Sequence, residues 1–111
     1  MLGMKRDECF GPMILLGLGG VFVEALEAFV LRRAPFGRDV AEAMIAELPG
    51  RVILDGARGA PPADIPALID ALVKFSIFAA ATSQHVQEID LNPVRVLQRG
   101  QGVRILDAVF V

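Results

Sequence analysis

The chain has 111 residues, a length that allows one domain, and its formal charge of −2 comes from 13 acidic and 11 basic side chains interspersed along it. Nothing in it forms the basic stripe that a phosphate backbone needs, which excludes nucleic acid as an expected partner. The single cysteine, Cys9, cannot form an internal disulfide and has no neighbouring Cys or His at zinc spacing, so a reducing, cytoplasmic setting is expected.

Hydrophobic residues make up 54% of the chain, and its mean hydropathy is +0.54, high for a small free-standing domain. Two readings are open: a piece that normally packs against more protein, or simply an alanine-rich sequence. Asp70 and Lys74 interrupt the longest apolar stretch short of the about 20 residues that span a bilayer, so no membrane contact is expected. The N-terminus lacks the charged, apolar and small-residue order of a signal peptide.

In chain order, Met1 to Met4 reads as a strand, begun ahead of Met1, that enters the charged loop Lys5-Arg6-Asp7-Glu8. Phe10-Gly11-Pro12 is a turn, and Met13 to Leu16, too short for a helix, is a buried strand beside Met1 to Met4. Gly17-Leu18-Gly19-Gly20 follows. Glycine loops that cradle phosphate lead into a helix N-terminus, whereas this one leads into Val21, Phe22 and Val23, so a turn between strands is expected, with Glu24 on the second strand. A reversal at Glu27-Ala28 and a strand from Phe29 to Ala34, ended by Pro35 and Gly37, complete a meander.

Asp39 is placed to N-cap a helix, with Glu42 completing a capping box and Val40, Met44 and Leu48 on one face, until Pro49-Gly50 stops it. Arg51 to Leu54 reads as a short extended segment. Arg58, flanked by Gly56 and Gly59, has two readings: a bidentate donor to phosphate or carboxylate, or a surface arginine paired with Asp55. Asp64 N-caps the longest helix, with Pro66 in its first turn. The stripe of Ile65, Leu68, Ile69, Leu72, Phe75 and Ala79 packs this helix across the sheet, and Phe75 and Phe78 read as core. His85 stands in a polar loop with no carboxylate or cysteine at catalytic spacing and reads as structural or solvated.

Residues 86 to 97 alternate with period two, which predicts a strand with Glu88, Asp90 and Asn92 on one face and Ile89 and Leu91 on the other. The loop Gln98-Arg99-Gly100-Gln101-Gly102 then closes an antiparallel hairpin with Val103 to Val111. A turn centred between Arg99 and Gly100 makes partner numbers sum to 199, so Asn92 faces Asp107 with Cβ atoms about 4.5 to 5.5 Å apart, near enough for both oxygens to hold one hard cation. Strands, helix, strand, helix and hairpin, without βαβ alternation, indicate an α+β fold: a mainly antiparallel sheet with helices packed on it.

Glu88-Ile89-Asp90-Leu91-Asn92-Pro93, followed past the loop by Leu106-Asp107-Ala108, resembles the metal-binding hairpin of the ATP-grasp domain in ADP-forming acyl-CoA synthetases, relatives of succinyl-CoA synthetase. Lys5-Arg6-Asp7 with Phe10-Gly11-Pro12, residues 17 to 24, and residues 56 to 64 extend the resemblance, in the family's order, over nearly the whole chain. It implies that residues 1–111 form a single partial domain, the C-terminal lobe of an ATP-grasp domain, binding ATP/ADP and Mg2+. It also implies Asn92 and Asp107 as magnesium ligands, Asp90 and Glu88 in support, and Arg58 and Glu24 as nucleotide contacts.

In that family acid, CoA and ATP give acyl-CoA, ADP and phosphate, by way of a histidine on a mobile segment. The other lobe, its phosphate-contacting lysine, the CoA-binding domain and that histidine are missing from these residues. The chain by itself is therefore expected to be inactive and to partner the remaining lobe and the CoA-binding domain. An uncovered sheet edge and excess apolar surface are expected to drive self-association. Two alternatives stay open: the same lobe from a ligase-like module fused to an acetyltransferase, and a non-catalytic remnant or dimerising module.

Overall fold

Leu2, Met4, Ile14, Leu16, Val30, Ile89 and Leu91 are all buried on the same side of one antiparallel sheet, and their spacing of two along each strand is what builds that side. The computed structural model describes residues 1–18, 29–56 and 61–111, apart from the side chain of Ile53. Its elements are β1 (Leu2–Asp7), β2 (Gly11–Gly17), β3 (Phe29–Arg33), α1 (Arg38–Glu47), a 3-10 turn (Arg51–Ile53), α2 (Ile65–Thr82), β4 (Glu88–Leu91), β5 (Val94–Val96), β6 (Val103–Ile105) and β7 (Ala108–Phe110). Five strands in the order β3-β2-β1-β4-β7 form the main sheet, and β5 with β6 forms a separate two-stranded arm. The helices cover one face of the sheet, which makes the α+β architecture that the sequence predicts.

Met1 to Met4 does lie beside Met13 to Leu16, with Leu2 facing Leu16 and Met4 facing Ile14. The strand, however, runs on through Lys5-Arg6-Asp7, which the sequence reading made a loop. Lys5, Arg6 and Asp7 pair with Met13, Pro12 and Gly11, and ladder bonding between backbones is indifferent to exposed charge. The Asp7 carboxylate then accepts the N–H groups of Cys9 (2.8 Å) and Phe10 (2.9 Å) and shapes the turn. Those two bonds, Phe10 first, hold its pKa below the usual carboxylate value. The expected strand over residues 21 to 26 and the reversal at 27 and 28 lie outside the described residues.

Helix α1 is capped two residues earlier than the Asp39 cap that the sequence predicts. Gly37 is the N-cap, no side chain caps the helix, and Glu42 pairs with Arg38 at 3.6 Å instead of closing a capping box over Asp39. Its buried face is Ala41, Met44 and Ile45, continued by Leu48 at the C-cap, while Val40 is only half-buried. The segment Arg51 to Leu54 is not extended but a 3-10 turn, entered through Gly50 at φ 83°. In α2 the predicted cap is present: the Asp64 carboxylate accepts the Ala67 N–H at 3.2 Å.

Leu68, Ile69, Leu72, Phe75 and Ala79 of α2 are buried. Phe78 is 46% exposed, so it is not core as expected; it meets Phe110 of β7 edge to face, ring centroids 6.2 Å apart. The buried polar side chain on that helix, Ser76, accepts the Phe36 N–H at 3.2 Å and donates to the Val73 carbonyl at 2.8 Å, which ties α2 to the chain just ahead of α1. By length and composition α2 is long and apolar enough to cross a membrane, with a mean hydropathy of 1.6 in spite of Asp70 and Lys74. That corrects the sequence reading. In this fold its apolar face is buried in the core, and Asp70 meets Arg38 at 2.9 Å.

Candidate functional site

The two halves of the final hairpin keep one register throughout. Ile89 faces Phe110, Leu91 faces Ala108, Val94 faces Ile105 and Val96 faces Val103, each pair summing to 199 as the turn placement predicts. The turn is closed by Gln101 N–H to the Gln98 carbonyl (2.9 Å) and Leu97 N–H to the Gly102 carbonyl (2.9 Å).

The strand over residues 86 to 97 is not continuous. It breaks at Asn92-Pro93, and its partner breaks opposite at Leu106-Asp107. Proline has no N–H to donate to a ladder, so pairing into the main sheet ends here. Both strands change facing together: Ile89, Leu91, Ala108 and Phe110 face the helix side before the break, and Val94, Val96, Val103 and Ile105 after it. Because the shift is matched, the register survives.

Asn92 and Asp107 stand opposite one another at this break, both exposed, with the Asn92 N–H donating to the Asp107 carbonyl at 3.2 Å. The Asp107 carboxylate is fixed through Oδ1, which accepts the Ala108 N–H at 2.9 Å and leaves its other oxygen to a ligand. Glu88 and Asp90 are exposed on β4, while Ile89 and Leu91 are buried, as the alternation predicts. Asp90 lies between Gly3 of β1 and Val109 of β7, and Glu88 faces Lys5.

One carboxylate and one amide oxygen are hard donors of the type magnesium takes. Among the described residues no three His, Cys, Asp or Glu side chains cluster tightly enough to hold a metal. A cation held here would thus complete its shell with water and with the oxygens of a ligand. Glu24 and Arg58 lie outside the described residues. Leu54 and Pro61, on either side of the segment that carries Arg58, line a cleft of about 390 Å3 together with Arg95, Gln98 and Gln101. His85 is exposed, with its N–H on the Thr82 carbonyl at 2.9 Å, as a solvated loop residue.

A residue whose reach the sequence did not reveal is Asp64. Beyond capping α2, its carboxylate accepts the N–H groups of Gly100 (3.1 Å) and Gly102 (2.8 Å) at the hairpin tip. Both glycines have positive φ, 88° and 85°, which aims the two N–H groups at one carboxylate. The Gly102 N–H is the largest influence holding the Asp64 pKa below 3.8; burial opposes it, and Ala67, Gly100 and Arg99 add to it. Asp64 N–H to the Leu97 carbonyl (2.7 Å) and Arg99 N–H to the Pro62 carbonyl (3.0 Å) complete the tie. An N-cap aspartate and a Gly-x-Gly loop were both visible in sequence, but nothing local joins them.

The chain is thus an antiparallel sheet covered on one face by helices, with the polar residues of its hairpin strand on the open side. Residues 1–111 match the ATP-grasp domain family, and the chain belongs to it. More particularly, its relatives are ADP-forming acetate–CoA ligases. It is 42% identical over 111 residues to the beta subunit of acetate–CoA ligase [ADP-forming] II from Pyrococcus furiosus, covering all of this chain and 47% of that subunit. Over 103 residues it is 46% identical to acetate–CoA ligase [ADP-forming] I from Archaeoglobus fulgidus, covering 93% of this chain and 15% of that protein. Among solved structures it resembles the dinucleotide-forming acetyl-coenzyme A synthetase 1 of Ca. Korarchaeum cryptofilum, in complex with coenzyme A and Mg-AMPPCP, with TM-score 0.90 and 38% identity, over 99% of this chain and 50% of that one. The chain thus spans about half the length of the subunits it matches.

Proposed function

We propose that these residues form the nucleotide- and magnesium-binding C-terminal lobe of an ADP-forming acyl-CoA synthetase, converting an acetate-like acid, CoA and ATP to acyl-CoA, ADP and phosphate. The observation that carries this reading is the hairpin register, which sets Asn92 against Asp107 on an exposed site in a chain whose relatives are ADP-forming ligases. Asn92 and Asp107 would hold Mg2+, with Asp90 and Glu88 in support. When bound, the metal supplies neutralisation of the charge on transferring phosphoryl oxygens. This chain's own residues position it: β4 is bonded on both sides, by β1 and β7, so the Asn92 end of the hairpin rests on the sheet interior rather than on a loose edge.

The remaining ATP-grasp lobe and a CoA-binding domain would be its partners, in the cytoplasm, and the 111 residues alone make no ATP from acetyl-CoA, ADP and phosphate. The test is equilibrium binding of ADP to the chain with Mg2+ and with EDTA. Asp107→Asn removes the anionic ligand and Asn92→Ala the amide oxygen, and each lowers the Mg2+-dependent part about tenfold or more without lowering the unfolding midpoint. Unchanged Mg2+-dependent binding by Asp107→Asn refutes the assignment.

A further inference from the structure

Arg95 and Arg104 are direct partners across the β5–β6 ladder. Like charges set opposite one another destabilise a strand pair, unless an anion joins them. Among the described residues neither has a carboxylate within 4.0 Å: the ion pairs are those of Arg32, Arg38 and Arg51. The Arg104 guanidinium instead donates to the adjacent Val103 carbonyl at 3.1 Å. Val94, Val96, Val103 and Ile105 take the helix side of the arm, so both arginines occupy the exposed side.

Three further observations give this pair a ligand's surroundings. The arm is held in place by the bridge between Ala63 and Gln98 and by the Asp64 carboxylate on Gly100 and Gly102, so its guanidiniums start from a fixed backbone. Arg95 lines the cleft of about 390 Å3 with Gln98 and Gln101, whose amides add donors to the guanidinium fork. Asn92 and Asp107 lie three residues away along the two strands, about 10 Å by strand rise, while both arginines are placed toward the hairpin tip, Arg104 on the Val103 carbonyl and Arg95 beside Gln98 and Gln101.

We propose that Arg95 and Arg104 form a polyphosphate subsite that takes the phosphoryl oxygens of a nucleoside di- or triphosphate and needs no metal to do so. It rests on the nucleotide reading above and adds to it the residues that grip the phosphate tail beyond the Asn92–Asp107 pair. Guanidinium suits this because its planar fork donates to two phosphate oxygens at once and stays charged at any working pH.

The test titrates tripolyphosphate and ADP into the 111-residue chain by calorimetry, each in EDTA and in Mg2+. In EDTA, tripolyphosphate binds the unmodified chain, binding weakens as salt is added, and Arg95→Gln and Arg104→Gln each lower affinity about tenfold. Arg33→Gln, on the far edge strand β3, matches the change in net charge and leaves affinity in place. Asp107→Asn leaves the EDTA binding intact and removes only the gain from Mg2+, so this proposal and the metal assignment fail separately. ADP bound no more tightly than tripolyphosphate in EDTA supports recognition of phosphate alone. Arg104→Gln also raises the unfolding midpoint of the anion-free chain, because it removes the like-charge pair; a merely structural arginine lowers it. The proposal is overturned if tripolyphosphate does not bind in EDTA, or if Arg33→Gln weakens it as much as Arg95→Gln.

Discussion

Replacing Ile89 with alanine tests which face of β4 is core, and with it the side from which a ligand meets Asn92 and Asp107. Ile89 is 1% exposed, between Met4 of β1 and Phe110 of β7. The substitution removes three buried carbons, worth about 0.8 kcal/mol each by transfer, or about 2.4 kcal/mol together. A residual cavity adds to that, and β4, paired on both sides, has little freedom to collapse into it, so the expected loss is about 2 to 5 kcal/mol. At this chain length that lowers the thermal midpoint by about 8 °C or more. Urea unfolding followed by circular dichroism measures it, the midpoint falling at constant slope. Asp90→Ala, one residue on and facing outward, stays within about 0.5 kcal/mol of the parent. A loss under about 1 kcal/mol for Ile89→Ala, or a larger one for Asp90→Ala, refutes the facing of the strand.

Ser76→Ala leaves the buried Phe36 N–H without its partner and costs about 1 to 3 kcal/mol in the same unfolding assay; a neutral result removes the tie between α2 and the Phe36 segment. Asp64 has a depressed pKa, so the stability it contributes is complete above its ordinary value of 3.8 and is lost as pH falls below that through the folded value. Thermal midpoints measured down through that range drop more steeply for the parent than for Asp64→Asn, which has no carboxylate to titrate; parallel curves would contradict the hairpin-tip tie. A groove of about 680 Å3 between α2 and the hairpin is lined by Phe75, Phe78, Ile105 and Phe110. Exposed apolar surface of this kind leads to concentration-dependent association in sedimentation, relieved by Phe110→Asp, and a monomer at all concentrations counts against it.

The hairpin was legible because its causes are local. Period-two alternation fixes which of Glu88 to Asn92 face out, and a glycine loop of set length fixes the register that brings Asn92 to Asp107, all within 20 residues or so of chain. The α2 stripe and its Asp64 cap were legible for the same reason, being statements about one turn of backbone and its neighbours. Pattern failed where two local signals competed or where a distant partner decided. Lys5-Arg6-Asp7 looked like loop by charge, yet β2 was there to pair with it. Phe78 sits among apolar residues of α2 but falls on the rim, because the helix offers its core face to the sheet through Leu72, Phe75 and Ala79.

The strand order β3-β2-β1-β4-β7 was beyond the sequence, since any of these strands has enough backbone donors and acceptors to pair with any other. So were the Asp64 contacts with Gly100 and Gly102, the Ser76 contact with Phe36, and the cleft that Arg95 lines with Leu54 and Pro61, which join segments tens of residues apart in sequence. Sequence alone set the facing of β4, the central stripe of α2 and the pairing within the final hairpin, because those follow from backbone periodicity and turn geometry. Which elements meet, and therefore which charges are left without partners on an exposed face, was decided by close packing of the core, an interaction among side chains that no single stretch of the sequence contains.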